Sequence, residues 1–454
     1  MDDTDFTDRK GLACCRLLNG YQKFTMAIWQ RRANNSEVVS QSMPRPLSVA
    51  LTLLVVSVFI NYVDRGNLSI AAPLLKNELG ISAGQLGILL SAFFWTYTLL
   101  LFVCGWFVDR FDPSRVLALG YLVWSLSTAA TGLVHGFAML LLMRLILGTG
   151  ESVAFPCYSK ILARHVPEHN RGFANGVIIA GMKLGPAAGT LGAGLLMANY
   201  GWRPVFLGIG LVSLAWLPGW LKWMPSRETA AQRVGPSPRV IDILRKRPFW
   251  ATAAGAFCCA YPLYFTITWL PFYLVHEQHL SLQDMAKIAA LYYTVDAAAA
   301  LATGCVADFW IRRGLSAGTM RKTAMALGWS TAAVGLLGCS SAGPHSYLAW
   351  LMVAGVGLGT GNASLWAFTQ TLAGPRAVGM WAGLQNGFGN LAGVIGPALT
   401  GFTVDWTGHF QVAIEITAGV CLIGALVWLL LLGEFKEVAW AQPAGALARP
   451  VEFI

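Results

Sequence analysis

The chain has 454 residues, of which 56% are hydrophobic and only 12% are charged. Soluble proteins carry about 25% charged residues, so this composition excludes an ordinary soluble enzyme and predicts a membrane protein. The net charge of +10 would suit a nucleic-acid ligand, but the basic residues lie between the apolar runs, so we expect no nucleic-acid partner.

Residues 1–46 precede the first apolar run and differ from the rest of the chain. They are polar, include Arg31-Arg32 and have no signal-peptide pattern. We interpret them as a disordered cytoplasmic tail, or as a start assigned too far upstream, with Met43 as the true first residue.

The apolar runs that follow have the length of membrane helices. A bilayer core of about 30 Å needs roughly 20 apolar residues per helix, and the runs are too long for the strands of a barrel, the other spanning structure. We therefore predict an all-α membrane protein with twelve transmembrane helices, at residues 47–75, 84–108, 116–134, 138–163, 172–198, 203–223, 249–275, 284–309, 321–341, 346–371, 378–404 and 411–433.

The basic residues predict the orientation of these spans. On one side of the membrane, the tails and alternate loops carry 25 Lys and Arg residues, against three (Lys76, Arg203 and Lys287) on the other. Cytoplasmic loops are enriched in Lys and Arg. Both termini are thus predicted to be cytoplasmic, in a multi-pass protein of the cell inner membrane.

The spans fall into two similar halves. A Gly-x-x-x-Asp pattern follows span two at Gly105–Asp109 and returns after span eight at Gly304–Asp308, 199 residues later. Such duplication is a common transporter plan. The predicted segments are the tail 1–46, a six-helix bundle 47–223, a cytoplasmic linker 224–248, a second six-helix bundle 249–433 and a cytoplasmic tail 434–454.

Two groups of motifs resemble a known family. The loop "GWFVDRFDPSR" after span two and its echo "GCVADFWIRRG" resemble the signature of the major facilitator superfamily. "NYVDRGNLSIAAP" and "MRLILGTGESVAFP" resemble its anion:cation symporter family, which includes galactonate, glucarate and hexuronate transporters and vesicular glutamate and sialic-acid transporters. This resemblance implies two pseudo-symmetric bundles that rock about a central cavity.

Six ionisable residues stand out within the predicted spans. A charge at mid-membrane costs about 2.5–3.5 kcal/mol, so such residues are functional candidates. They are Asp64, Arg65, Arg144, Glu151, Lys183 and Asp296. The first five lie in the N-terminal half and sum to +1 when ionised, a charge that protonation of either carboxylate raises. The sum favours an anionic substrate that moves together with a proton.

Each of these groups has a predicted function. The planar guanidinium of Arg65 suits a substrate carboxylate, whereas Asp64 and Glu151 are carboxyls that can carry protons. Arg144 lies seven residues before Glu151, on the same helix face. It is predicted to influence the ionisation of Glu151. The resemblance implies the same functions for Arg65, Asp64 and Glu151. The alternative is a structural network, in which Arg65 would pair with Asp64.

The C-terminal half offers mostly neutral groups. Asn362, Trp366 and Gln370 have helical spacing, as do Asn386 and Asn390. Such faces suit substrate hydroxyls, although interhelical hydrogen bonds are the alternative. The resemblance implies that Tyr97, Trp366 and Asn386 contact substrate. A carboxylate at one end and hydroxyls along the body describe a sugar acid.

Two features remain open. Lys183 follows Met182, where related sugar-acid transporters carry a polar residue, so it either adds a second anion contact or pairs with a carboxylate.

Asp109, with Arg110 and Arg115, is predicted mostly from the resemblance to form a cytoplasmic gate, by capping a helix and pairing with the bases; the alternative is that the cations only set the topology.

The function predicted from the sequence is proton-coupled uptake of an organic anion by a monomer. The nine Cys include no CxxC pair, His276 and His279 are three apart, and no P-loop occurs. We therefore expect no metal, no cofactor and no enzymatic activity, and an ion gradient as the energy source. The alternatives are a proton-driven drug exporter, favoured by the glycines of span five, and a receptor that signals through the N-terminal tail.

Overall fold

The structure is a computed structural model and describes residues 45–166, 168–224, 238–341, 343, 346–433 and 435–440. Residues 1–44 of the predicted tail, 225–237 of the predicted linker, and 434 and 441–454 of the C-terminal tail lie outside these residues. The chain divides into Met1–Val49 and the compact unit Ala50–Ile454, to which every candidate site residue belongs.

The described residues are helical almost throughout. In chain order the helices are α1 (Arg45–Leu79), α2 (Ala83–Arg110), α3 (Pro113–Thr131), α4 (Phe137–Glu151), α5 (Ala154–His165), α6 (Glu168–Tyr200), α7 (Trp202–Leu214), α8 (Trp216–Trp223), α9 (Val240–Leu244), α10 (Arg247–His276), α11 (Leu282–Arg312), α12 (Ala317–Ser341), α13 (Tyr347–Asn362), α14 (Leu365–Thr407) and α15 (Gln411–Leu426). A π-helical turn, Val427–Leu431, extends α15.

Within the described part of the chain, ten helical segments are long and apolar enough to cross a membrane. The other two predicted spans correspond to α3 and to the second limb of α14. Both are helical, but α3 is only 19 residues long and rich in Ser and Thr, and the second limb of α14 carries Gln385, Asn386 and Asn390. A multi-pass helical protein is confirmed, whereas the count of twelve spans stays a prediction.

Several predicted spans are broken by turns. The span predicted at 138–163 consists of α4 and α5, and α4 ends at Glu151. The helix α14 contains a sharp turn at Gly374, whose φ of 64° is a left-handed conformation that favours glycine. This turn places Trp366 and Asn386 on different limbs of α14.

The N-terminal and C-terminal parts of the chain meet at two helix pairs. Helix α2 packs against α14, and α6 packs against α11. In the predicted repeat, span two corresponds to span eight and span five to span eleven. On that prediction α2 corresponds to α11, and α6 to the second limb of α14, so the two contacts would be related by the repeat.

The glycines of α6 contribute to close helix packing. A Cβ atom built on Gly185 would lie 2.7 Å from the Cβ of Tyr62 on α1. The two backbones can approach this closely only because Gly185 has no side chain. Close helix packing therefore explains the presence of Gly185. This glycine belongs to the span-five pattern that favoured the exporter alternative.

Candidate functional site

Helix α1 and the end of α4 bring Arg65 and Glu151 together. Nε of Arg65 donates a hydrogen bond to Oε2 of Glu151 over 2.9 Å, although 86 residues separate the two in sequence. Their side chains are 4% and 0% exposed. Burial of a charge requires a partner of opposite sign, and for Arg65 that partner is Glu151, not the adjacent Asp64.

Aromatic rings enclose the Arg65 guanidinium. Its Cζ lies 4.8 Å from the ring centre of Tyr62, 5.2 Å from that of Phe93 and 4.6 Å from that of Tyr97. The face of an aromatic ring attracts a cation, most strongly where water is excluded. Tyr97 is buried and stacks on Phe93, so this predicted substrate contact lies beside the predicted carboxylate-binding residue.

The Arg65–Glu151 pair is joined at only one point. Nη2 of Arg65 and Oε1 of Glu151 are both buried and have no hydrogen-bond partner among the described residues. Buried polar atoms are nearly always paired in folded proteins. The pair therefore contains one buried donor and one buried acceptor that the described residues leave unpaired.

Asp64 and Arg144 form no ion pair with the residues that the structure describes. Oδ1 of Asp64 accepts a hydrogen bond from Nδ2 of Asn67 over 3.2 Å, and its Oδ2 has no partner within the described ranges. Cζ of Arg144 lies 5.2 Å from the centre of the Phe93 ring, which also contacts Arg65. The direct partner of Glu151 is thus Arg65, and any effect of Arg144 on Glu151 acts without a direct ion pair.

Lys183 and Asp296 form a second ion pair, between α6 and α11. Nζ of Lys183 donates to Oδ2 of Asp296 over 2.8 Å. The six candidate residues named from the sequence are thus three cations and three carboxylates, which sum to zero when all are ionised. The sum of +1 covers the N-terminal half alone, and Asp296, which lies in the C-terminal half, offsets the charge of Lys183.

A chain of hydrogen bonds links α10 to α14 in the C-terminal half. The Tyr264 hydroxyl lies 2.6 Å from Oδ1 of Asn390 and donates to it. Nδ2 of Asn390 in turn donates to the backbone oxygen and to Oδ1 of Asn386. The Tyr264 ring also packs against Phe94 of α2, with 4.4 Å between ring centres. Asn390 therefore holds helices together, whereas the half-buried Asn386 lies at the end of the chain of hydrogen bonds.

Sequence reasoning missed Tyr264. Helix α10 contains Tyr261, Tyr264 and Tyr273, and no charge or motif distinguishes the one that meets Asn390 and Phe94.

The predicted polar face of span ten is interrupted. Helix α13 ends at Asn362 and α14 begins at Leu365. Trp366 is 41% exposed and makes no hydrogen bond or ring contact with the rest of the described chain. Gln370 is also exposed, and Asn362 is half-buried. No described contact joins these residues to the Arg65–Glu151 pair.

The predicted gate lies at the junction of α2 and α3. The Asp109 side chain lies outside the described residues, and Arg110 and Arg115 are exposed. Oδ1 of Asp112 accepts a hydrogen bond from the Ser114 N–H, which caps α3. Oδ2 of Asp112 lies 3.9 Å from Nε of Arg115. Asp112 therefore caps α3, and the function of Asp109 stays a prediction.

Comparison with known sequences identifies relatives along nearly the whole chain. The model of the Major Facilitator Superfamily matches residues 54–320. The hexuronate transporter of Bacillus subtilis is 32% identical over 428 residues, which cover 90% of this chain and 99% of that protein. The D-galactonate transporter of Escherichia coli is 29% identical over 421 residues, or 86% and 96% of the two chains. A probable sulfoacetate transporter of Cupriavidus necator is 30% identical over 392 residues, or 82% and 91%.

Solved structures share the same fold. A bacterial homologue of the human lysosomal transporter Spinster, inward-facing and unoccupied, superposes with a TM-score of 0.72 at 18% identity and covers 86% of this chain and 98% of its own. A D-xylose–proton symporter gives a TM-score of 0.71 at 13% identity, with coverage of 86% and 99%. At these identities the likeness shows the fold alone.

The helical fold, the buried charges and the matched relatives lead to one family. The resemblance to the anion:cation symporter family is confirmed by relatives that span the chain. The protein is thus a multi-pass membrane transporter and not an enzyme, and the chain belongs to the Major Facilitator Superfamily.

Proposed function

We propose that this transporter takes up an organic anion, specifically a sugar acid, together with protons. The observation that carries this proposal is the buried Arg65–Glu151 pair, which is joined at one point and leaves Nη2 of Arg65 unpaired. The relatives named as hexuronate and D-galactonate transporters support the substrate class.

Glu151 couples a proton to the substrate in this mechanism. When Glu151 is ionised, it is the counter-ion of Arg65. When Glu151 binds a proton, its charge disappears and Arg65 is left as an unbalanced cation among aromatic rings. A substrate carboxylate then replaces Glu151 as the counter-ion, and the planar guanidinium binds it through two parallel hydrogen bonds.

The charges of the whole site favour the same coupling. Three cations and three carboxylates sum to zero, so a single anion leaves the loaded site neutral only when one proton accompanies it. Uncompensated charge in a low-dielectric site is costly. Asp64, whose Oδ2 is buried and has no described partner, is the candidate for a second proton. Arg144 adds positive charge on the Phe93 side of the site.

Neutral groups of both halves orient the body of the sugar acid. Tyr97 lies against Arg65, beside the bound carboxylate. Asn386, held through Asn390 by Tyr264, supplies an amide for substrate hydroxyls, and the exposed indole of Trp366 packs on the apolar face of the sugar chain. This assignment of Asn386 and Trp366 requires the C-terminal half to move toward Arg65 during the cycle.

Transport follows alternating access between two bundles of six spans, 47–223 and 249–433, in the cell inner membrane. Both termini are on the cytoplasmic side, and the unit is the monomer. On this topology Ala83 of α2 and Asp405 of α14 lie at the outer end, and Asp109, Arg110 and Arg115 contribute to the cytoplasmic gate.

The test is transport by the purified protein in liposomes. Galactonate, glucarate, glucuronate, tartrate and phthalate are added separately, and the external pH is followed with no imposed gradient. Alkalinisation on addition of a sugar acid supports the proposal. If no acid changes the external pH and a hydrophobic dye moves against a proton gradient, the protein is the exporter instead.

The receptor alternative has its own test. Deletion of residues 1–42 leaves transport intact if the protein is a symporter. A protein that binds its ligand without moving it, and that loses signalling on the same deletion, would be a receptor.

A further inference from the structure

We propose that Phe93 is a positioning residue of the coupling reaction. Its ring stabilises the Arg65 cation during the step in which Glu151 holds a proton and no substrate is bound. This inference rests on the proposed function and adds to it a residue that carries neither a charge nor a hydrogen-bonding group. Its basis is the contact of the Phe93 ring with two buried arginines.

The Phe93 ring contacts two cations that come from different helices. Its centre lies 5.2 Å from Cζ of Arg65 on α1 and 5.2 Å from Cζ of Arg144 on α4. Tyr62 and Tyr97 also contact Arg65, but among the described residues Phe93 is the one ring that contacts both arginines. One π-system thus attracts both guanidiniums, which offsets part of the repulsion between two like charges.

Packing fixes the Phe93 ring in this position. The side chain is fully buried and stacks on Tyr97, one turn further along α2, with 5.2 Å between ring centres and 21° between ring planes. A Cβ atom on Gly148 of α4 would clash with the carbonyl oxygen of Phe93, so the two backbones approach closely there. Gly148 lies between Arg144 and Glu151 along α4. The backbone of Phe93 is therefore held against the part of α4 that carries both charges.

The contribution of the ring changes during the transport cycle. While Glu151 is ionised, its carboxylate balances the charge of Arg65. Once Glu151 is protonated and before substrate arrives, Arg65 is a buried cation without a counter-ion, which is costly. The ring attracts this unbalanced cation more strongly than it attracts the ion pair, because the carboxylate no longer offsets the positive charge. Phe93 therefore favours the protonated, empty site to which the substrate carboxylate binds.

Other charged and titratable groups surround this site, and a change in the Phe93 ring leaves all of them in place. Those near Glu151 or Arg65 are Asp64, Tyr62, Arg144, Tyr158, Tyr97 and Tyr264. Arg144 contacts the ring without an ion pair to Glu151, so this contact changes little when Glu151 binds a proton. A shift in the pH dependence of uptake therefore measures the contact of Phe93 with Arg65.

The experiment replaces Phe93 by phenylalanines that carry one, two or three fluorine atoms on the ring. Fluorine withdraws electron density from the face of the ring and weakens its attraction for a cation, while the size of the side chain hardly changes. Initial uptake of labelled galactonate, glucarate and glucuronate, each below its KM, is measured in proteoliposomes as the external pH is varied.

Each added fluorine should move the pH of half-maximal uptake to a lower value, because the protonated, empty site becomes harder to reach. The shift over the series should be about half a pH unit, the size expected for part of one cation–π contact. Phe93→Leu removes the ring altogether and should shift the profile by about one unit. At the most acid pH the rates should converge on the parental rate.

Phe249 provides the matched control. Its side chain is equally buried, and among the described residues its ring contacts other rings and no cation. The same fluorinated residues at position 249 should leave the pH profile unchanged. A profile that does not shift across the Phe93 series, or a rate that falls equally at every pH, would overturn the inference alone. If the parent protein transports none of the three acids, the proposed function fails and this inference fails with it.

Discussion

Arg65 donates from Nε to Oε2 of Glu151 over 2.9 Å, and this single contact leaves Nη2 of the same guanidinium unpaired. A bidentate pair would have used both donors and sealed the site. The one-point contact thus lets Glu151 neutralise the cation while one donor of the guanidinium stays without a partner among the described residues.

Replacement of Arg65 by Lys should separate charge from geometry. Lysine keeps the positive charge but lacks the planar pair of donors, so KM for the transported sugar acid should rise about tenfold or more, the effect of losing a charged hydrogen bond. Arg65→Ala should abolish uptake. The exposed Arg312 provides the control Arg312→Ala. Uptake by Arg65→Ala at the parental rate would exclude Arg65 as the carboxylate-binding residue.

Replacement of Tyr264 by Phe should weaken binding through Asn386. The change removes the hydroxyl that lies 2.6 Å from Oδ1 of Asn390 and leaves a buried acceptor unpaired, at a cost of about 1–3 kcal/mol. We expect a KM about fivefold or more above the parental value. The control is Tyr261→Phe. Tyr261 lies on the same helix, and its hydroxyl makes no hydrogen bond to the described residues. Equal KM values in both variants would remove Tyr264 from the site.

Asp405 should stabilise the state in which the outer end is closed. Its two carboxylate oxygens accept hydrogen bonds from the N–H groups of Ala83 and Gly84, each over 2.7 Å, so it ties α14 to the free N–H groups of α2. Asp405 is exposed to solvent, and water weakens charge-assisted hydrogen bonds at such a position, so the two together contribute about 1–2 kcal/mol. Asp405→Ala should therefore shift the population about tenfold toward the outward-open state.

Cysteine labelling measures this shift. The reporter is Ser91→Cys, at a fully buried position of α2, in a variant without the native cysteines. A reagent added outside should label this reporter cysteine faster when Asp405→Ala is also present. The control Asp284→Asn changes an exposed aspartate and should leave the labelling rate unchanged. Identical labelling rates in all three proteins would contradict a gating function for Asp405.

Gly87 should be required for the close contact of α2 with α14. A Cβ atom at this position would lie 2.6 Å from the carbonyl oxygen of Pro397, a clash that only movement of a backbone can relieve. Gly87→Ala should reduce transport severely while the protein still reaches the membrane. Gly419→Ala, where an added Cβ meets nothing within 4 Å, should transport normally. Normal uptake by Gly87→Ala would show that the helices need not approach this closely.

Helices and candidate charges were predictable from the sequence because each depends on local pattern. Apolar runs of span length predict membrane helices, and an Arg or Glu inside such a run is conspicuous. Arg65 and Glu151 were identified in this way, and the structure brings them together.

The partner of each charge was not predictable. Periodicity shows which residues share a face of one helix, but not which helices pack together, and 86 residues separate Arg65 from Glu151. For the same reason the sequence did not show that Asp296, 113 residues away, is the carboxylate that pairs with Lys183. The end of α4 at Glu151 was also missed, although Gly150, Glu151 and Ser152 interrupt the apolar run there and Pro156 follows.

The most direct test of proton coupling is the external pH during sugar-acid uptake by Glu151→Gln. Glutamine resembles the protonated glutamate, so Arg65 stays available and exchange of labelled for unlabelled acid should continue. The empty variant, however, holds Arg65 without a counter-ion and should not return across the membrane, so net uptake and alkalinisation should stop. Alkalinisation by Glu151→Gln at the parental rate would contradict the assignment of Glu151 as the proton carrier.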